Sequence, residues 1–207
     1  MKILLDFDII FWDFDGVIIN SDEIRRSAFE NSLKEYKKED VNSLISFHNQ
    51  NGGLSRYVKF KYFFKEILNQ KLTDNQLNKL LFTYSDFCMK HLGERKNLNS
   101  SALRFIKRYF KKKKFHIASG SDNFELNKLC NQLEISDFFI SISGSPEPKE
   151  KIIQRVIKEN GYSNDIICLI GDSINDYDAA NYNEISFFGY NNHELQNFKN
   201  TQYIKNF

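Results

Sequence analysis

The sequence predicts an α/β protein, a parallel sheet covered by helices with a helical segment inserted after its first strand. Three observations carry this. Short β-branched or aromatic runs are each followed by small or polar residues and then by a helical pattern. The span from Asp13 to Phe115 far exceeds the dozen or more residues that a crossover between parallel strands needs. Acidic residues stand at the ends of the apolar runs. The expected strands are residues 9–13, 115–119, 139–143 and 166–170, with a fifth at 185–188. After the second, Leu126, Leu129, Cys130 and Leu133 share one helix face; after the third, Ile152, Ile153, Val156 and Ile157 do, and Gly161 is placed to stop that helix.

The inserted segment, residues 21–98, reads as helical throughout, leaving 1–20 and 99–207 as the sheet-bearing core. Asn20 and Glu23 form a capping-box pattern before Ile24, Ala28, Phe29, Leu33 and Tyr36. Thr73 and Gln76 form another before Leu77, Leu80, Leu81 and Tyr84, while Tyr57, Phe60, Phe64, Ile67 and Leu68 repeat at helical spacing between them. An insert at this point forms a lid over the strand ends, where open α/β sheets bind ligands.

Composition narrows the function classes. The chain has 207 residues, one large domain or one domain with a sizeable insertion at about 150 residues per domain. Its 29 basic and 27 acidic side chains leave a formal charge of +2, too balanced to imply a nucleic-acid partner. Lysines 111–114 read as a solvated cluster at a helix end. Cys88, Cys130 and Cys168 are odd in number and widely spaced, matching neither a disulfide framework nor a zinc site. No apolar run approaches the ~18 residues that span a bilayer, and Asp6 and Asp8 interrupt the apolar start, so a soluble cytoplasmic protein is expected.

The candidate chemistry lies at the strand ends. Asp13 and Asp15 end the first strand before Gly16, and residues two apart on an extended chain project to the same side. The similar pair Asp6 and Asp8 lacks a following glycine and is assigned to the lead-in segment. The second strand ends in Ser119, Gly120 and Ser121, a hydroxyl and flexible amides suited to an anion, though also ordinary turn chemistry. The fourth is followed by Asp172 and Asp176, where helix capping by Asp172 is the alternative role. Two carboxylates ~4 Å apart repel by ~4 kcal/mol at an effective dielectric of 20, so several converging ones call for a cation or shifted pKa values. An oxygen-only set points to Mg²⁺. Lys149 opens the helix after the third strand, against the helix dipole, where an anionic partner would account for it; Lys151 is an alternative for the same role.

Taken together, these residues resemble the haloacid dehalogenase superfamily of phosphatases, in the branch with a helical (C1-type) cap after the first strand. Asp13-Phe14-Asp15-Gly16-Val17 is similar to the first family motif, Ser119 to the second, Lys149 to the third, and Gly171-Asp172-Ser173-Ile174-Asn175-Asp176 to the fourth. The resemblance implies a Rossmann-like three-layer core and a phosphatase acting on a small phosphomonoester. It further implies Asp13 as nucleophile, Asp15 as general acid and base, and Ser119, Gly120 and Lys149 around the phosphoryl group. Mg²⁺ would be held by Asp13, the Asp15 carbonyl, Asp172 and Asp176.

Other readings compete with hydrolysis. A phosphomutase of the β-phosphoglucomutase kind would use the same aspartate pair, and a non-catalytic phosphate-binding module would lack one of the two. Substrate choice falls to the cap, where the polar, glycine-bearing segment 48–56 is a candidate loop into the cleft. Arg56 is its candidate substrate contact, with a helix start at Ser55 as the competing reading; sugar phosphates and small phosphorylated acids both fit. Nothing in the sequence sets an oligomeric state, and a monomer is compatible with such a cap.

Overall fold

In the computed structural model, which describes residues 3–207, the strands lie in one parallel sheet. They are β1 (Ile9–Trp12), β2 (Lys114–Asp122), β3 (Ser141–Ser145), β4 (Ile167–Gly171), β5 (Ser186–Tyr190) and β6 (Thr201–Ile204), in the order β3-β2-β1-β4-β5-β6. Every residue of β1 and β4 is buried, because helices cover both faces of a parallel sheet. The two-residue alternation of β1 divides the core. Ile10 and Trp12 face the layer containing α5 (Ser100–Tyr109) and α6 (Asn123–Gln132). Ile9 and Phe11 face α7 (Lys149–Asn160) and α8 (Ile174–Tyr182).

The expected helix stripes are the buried ones: Leu126, Leu129, Cys130 and Leu133, and Ile152, Ile153 and Val156. Gly161 ends α7 in the left-handed conformation at φ 64°, which glycine adopts without a Cβ penalty. Some strand limits, and one whole strand, differ from expectation. β2 continues past Ser119 to Asp122, β3 begins at Ser141, after a 3₁₀ turn at Ser136–Phe138, and the edge strand β6 was not anticipated. The first three residues of β6 are only partly buried, so the four-residue strand carries little apolar signal. Asp6 and Asp8 lie in the exposed lead-in, as expected.

Between β1 and β2 the chain builds a helical layer of α1 (Asp22–Ser32), α2 (Lys38–Gln50), α3 (Arg56–Tyr62) and α4 (Asp74–Leu92), with a π-helical turn, Phe63–Ile67, extending α3. Thr73 and Gln76 cap α4 reciprocally, as their spacing predicts. The Asn20 box does not form: Ser21 precedes the helix, and the Asn20 amide donates instead to the Asn97 carbonyl at 2.8 Å. That bond and Asn99 N–H to the Ile18 carbonyl, 2.9 Å, close the two connections between core and insert. The rings of Phe29, Phe60 and Tyr84 form the centre of the helical layer, with Phe29 centroids 5.2 Å from Phe60 and 4.6 Å from Tyr84.

A buried polar tie joins insert to core. Glu125, in the first turn of α6, pairs through one oxygen with Arg25 of α1 and through the other with Arg56 of α3. All three side chains are more than nine-tenths buried. Removing the shared carboxylate leaves two guanidinium groups short of a counter-charge, and breaking such a buried set costs about 3–5 kcal/mol. Glu125→Ala should therefore lower stability by that amount in urea denaturation; a loss under about 1 kcal/mol, the scale of an exposed pair, would contradict this tie.

Candidate active site

β1 ends between β2 and β4, where the chain's crossovers diverge to opposite sides of the sheet, so the side chains beyond its carboxyl end enter a crevice. Asp13 is buried there, its Oδ1 accepting the Phe14 N–H at 2.8 Å and the Lys149 ammonium at 2.9 Å. Lys149 also pairs with Asp176. Lys151, two residues on, is exposed and bonds Tyr182 and Gln154, so the helix turns only Lys149 toward Asp13. Asp176 is fully buried, and its Oδ2 accepts from the Ser173 N–H at 3.0 Å and the Ser173 hydroxyl at 2.6 Å. Capping of α8 thus falls to Ser173 and Asp176, leaving Asp172 outside that role.

Asp13, Asp172 and Asp176 each bring a carboxylate oxygen within 4.8 Å of the others. Burial, with Asp176 next, raises the pKa of Asp13 to about 7 against the pull of Lys149. Burial and the charges of Asp13 and Asp176 push Asp172 well above the carboxylate range. A hard divalent cation would relieve this repulsion, and an all-oxygen donor set suits one. Two glycines make the approach possible. A Cβ on Gly16, which sits at φ 73°, would fall 1.9 Å from Asp172 Oδ2, and one on Gly171 would fall 2.3 Å from the Asp176 Cβ.

Asp15 faces the insert. Burial alone would raise its pKa, but Arg25 and Ser121 bring it down to about 2. Arg25 Nε donates to Oδ1 at 2.9 Å, and the Ser121 hydroxyl donates to Oδ2 at 2.5 Å. Ser119 is buried beside them, its oxygen accepting the Ser121 N–H at 3.1 Å. Gly120 lies against the insert: a Cβ there would sit 2.3 Å from the Gly53 carbonyl oxygen. Gly53 in turn abuts Ser173 and Asn175, so the turn at 51–54 closes on the ends of both β2 and β4. Under it lies a cavity of about 70 Å³, lined from the core by Asp13, Asp15, Ser119, Gly120 and Asp172. Such a space holds on the order of five waters or one small ligand.

Arg56 also lines this cavity, but Ser55 caps α3 and the guanidinium is committed to Glu125 and, at 3.4 Å, Asp122. The sequence pattern singles out neither Arg25, Glu125 nor Lys59, and it includes Ser121 and His48 only as members of the strand end at 119–121 and the segment 48–56. An arginine three residues before Ala28 on an apolar helix stripe was the available signal for Arg25; nothing local marked Lys59 or Glu125.

Among curated proteins no match was found. Solved structures with this fold include a haloacid dehalogenase-like family hydrolase from Streptococcus pneumoniae, 17% identical, covering 98% of this chain and 96% of that one with a TM-score of 0.71. A β-phosphoglucomutase from Clostridium difficile is 17% identical over 97% and 91% of the two chains, TM-score 0.76. A predicted phosphoglycolate phosphatase from Haemophilus somnus is 16% identical over 90% and 86%, TM-score 0.72. These likenesses establish the fold. The model of the haloacid dehalogenase-like hydrolases matches residues 9–190, which run from β1 through β5 and include every candidate site residue described above, and the protein belongs to that family.

Proposed function

We propose that the protein is a Mg²⁺-dependent phosphatase that hydrolyses a small phosphomonoester through an aspartyl-phosphate. The observation that supports it best is the arrangement around Asp13: a buried carboxylate with one oxygen held by Phe14 and Lys149, and Asp172 and Asp176 close by. Asp13, Asp172 and Asp176, with the Asp15 carbonyl, would hold Mg²⁺, which supplies charge neutralisation for the phosphoryl oxygens when bound. Asp13 Oδ2, which accepts no hydrogen bond among the described residues, attacks phosphorus, and the bond from phosphorus to the ester oxygen breaks. Ser119, the Gly120 amide and Lys149 bind the equatorial oxygens, whose charge grows in this step.

Asp15 gives the leaving oxygen its proton and then takes one from the water that cleaves the aspartyl-phosphate. In the ligand-free arrangement it is a carboxylate held by Arg25 and Ser121. An incoming phosphate dianion competes for Arg25 and repels the Asp15 charge, and both effects favour its protonated form.

A phosphomutase would use the same groups, and its product separates it: an isomeric phosphate ester in place of free phosphate. Asp13→Asn should fold normally and release phosphate only at background rate from a panel of phosphomonoesters; retained turnover would remove the nucleophile assignment. Asp15→Ala should slow alkyl esters by about 10²–10⁴-fold and aryl esters far less, because only the poor leaving group needs the proton. Without substrate, Mg²⁺ at 100 times its Kd should add about 2.7 kcal/mol, raising Tm by roughly 5–10 °C. Asp172→Asn should abolish most of that rise in differential scanning fluorimetry.

A further inference from the structure

The cap side of the cavity carries three buried cations, and two of them are matched by carboxylates. Arg25 pairs with Asp15 and Glu125, and Arg56 with Glu125 and Asp122. The third is Lys59 of α3, only 2% exposed, which makes no ion pair among the described residues. Its Nζ lies 2.8 Å from His48 Nδ1 and 3.1 Å from the Gly52 carbonyl oxygen. Burial, with Lys59 and Arg25 nearby, pushes the His48 pKa down to about 3, so the imidazole is neutral and accepts from the ammonium. Two of the three Lys59 donors are thus occupied by uncharged acceptors that fix its direction, and one remains. The side chain lines the same cavity as Asp13, Asp15 and Ser119.

A buried ammonium without a counter-charge is costly, and burial pushes the Lys59 pKa down to about 7 despite the more distant pull of Asp15, Asp172 and Asp13. That cost is offset when a ligand brings the missing negative charge. The charge count also sets which ligand. Beyond the phosphoryl position one cation is unmatched, sufficient for a carboxylate and too little for a second phosphate of roughly two charges at neutral pH. The remaining acid on this wall, Asp22, is exposed and also lines the wider adjoining space, where water screens it.

We infer that the substrate is a small phosphorylated carboxylic acid whose carboxylate is held by Lys59, with Arg56 serving as structure between Glu125 and Asp122. This rests on the phosphatase reading and narrows it. It moves the second substrate contact from Arg56, where the sequence placed it, to a residue one helical turn along α3.

The test compares 2-phosphoglycolate with ethylene glycol monophosphate, which replaces the carboxylate by a neutral hydroxymethyl group, and with p-nitrophenyl phosphate as a general phosphatase substrate. In wild-type protein with Mg²⁺, kcat/KM for the carboxylate ester should exceed that for the neutral one by at least about tenfold, the scale of one charge-assisted hydrogen bond. Lys59→Met, close in length and better suited to burial, should collapse that ratio toward one, chiefly through KM for 2-phosphoglycolate, with no loss of Tm. Hydrolysis of p-nitrophenyl phosphate with no preference between the two alkyl esters would overturn the Lys59 subsite and leave the phosphatase reading standing. An equal loss on both esters in Lys59→Met would overturn it too. Failure to hydrolyse any of the three would overturn both.

Discussion

Like charge held at close range in a buried place is the constraint on which the rest of this structure depends. Asp13, Asp172 and Asp176 come from the ends of β1 and β4 and the first turn of α8, and they meet where desolvation makes each charge expensive. Lys149 and the Ser173 cap partly compensate, and their positions explain why α7 begins with a buried lysine against its own dipole. Gly16 and Gly171 are the backbone counterpart, since a single methyl group at either would drive the acids apart.

The helical insert repeats the same physics with the opposite emphasis. On the core side negative charge is in excess around Asp13; on the cap side, guanidinium groups are balanced against carboxylates through Glu125, Asp15 and Asp122. Arg25 belongs to both systems, joining the general-acid candidate Asp15 to the tie that holds α1 against α6. Its guanidinium lies 6.0 Å and that of Arg56 5.1 Å from the Tyr84 ring, so the aromatic centre of the insert and the charged floor of the cavity are continuous. A change in how the insert sits would therefore be felt at Asp15.

Much of the fold was legible because parallel strands buried on both faces leave strong apolar runs, and helices covering them leave stripes. Residues 126–133 and 152–156 are cases where local periodicity and final burial coincide. β6 was missed because a short, partly exposed edge strand leaves neither signal. The Asn20 cap failed for a related reason: a capping pattern competes with tertiary partners, and at the junction with the insert the Asn20 amide bonds to Asn97.

The sequence by itself determined the alternation of strands and helices as far as β5, the place of the insert and the candidacy of Asp13, Asp15, Ser119, Lys149, Asp172 and Asp176, because strand ends are local features and acids beside them have few other uses. Only the tertiary structure decided which charges remain unmatched. Whether Lys149 or Lys151 faces Asp13, and whether Arg56 or Lys59 has charge to offer a ligand, depends on carboxylates far away in the chain, such as Glu125, 69 positions from Arg56. Pairing over that range follows from how helices pack, and local sequence carries no record of it.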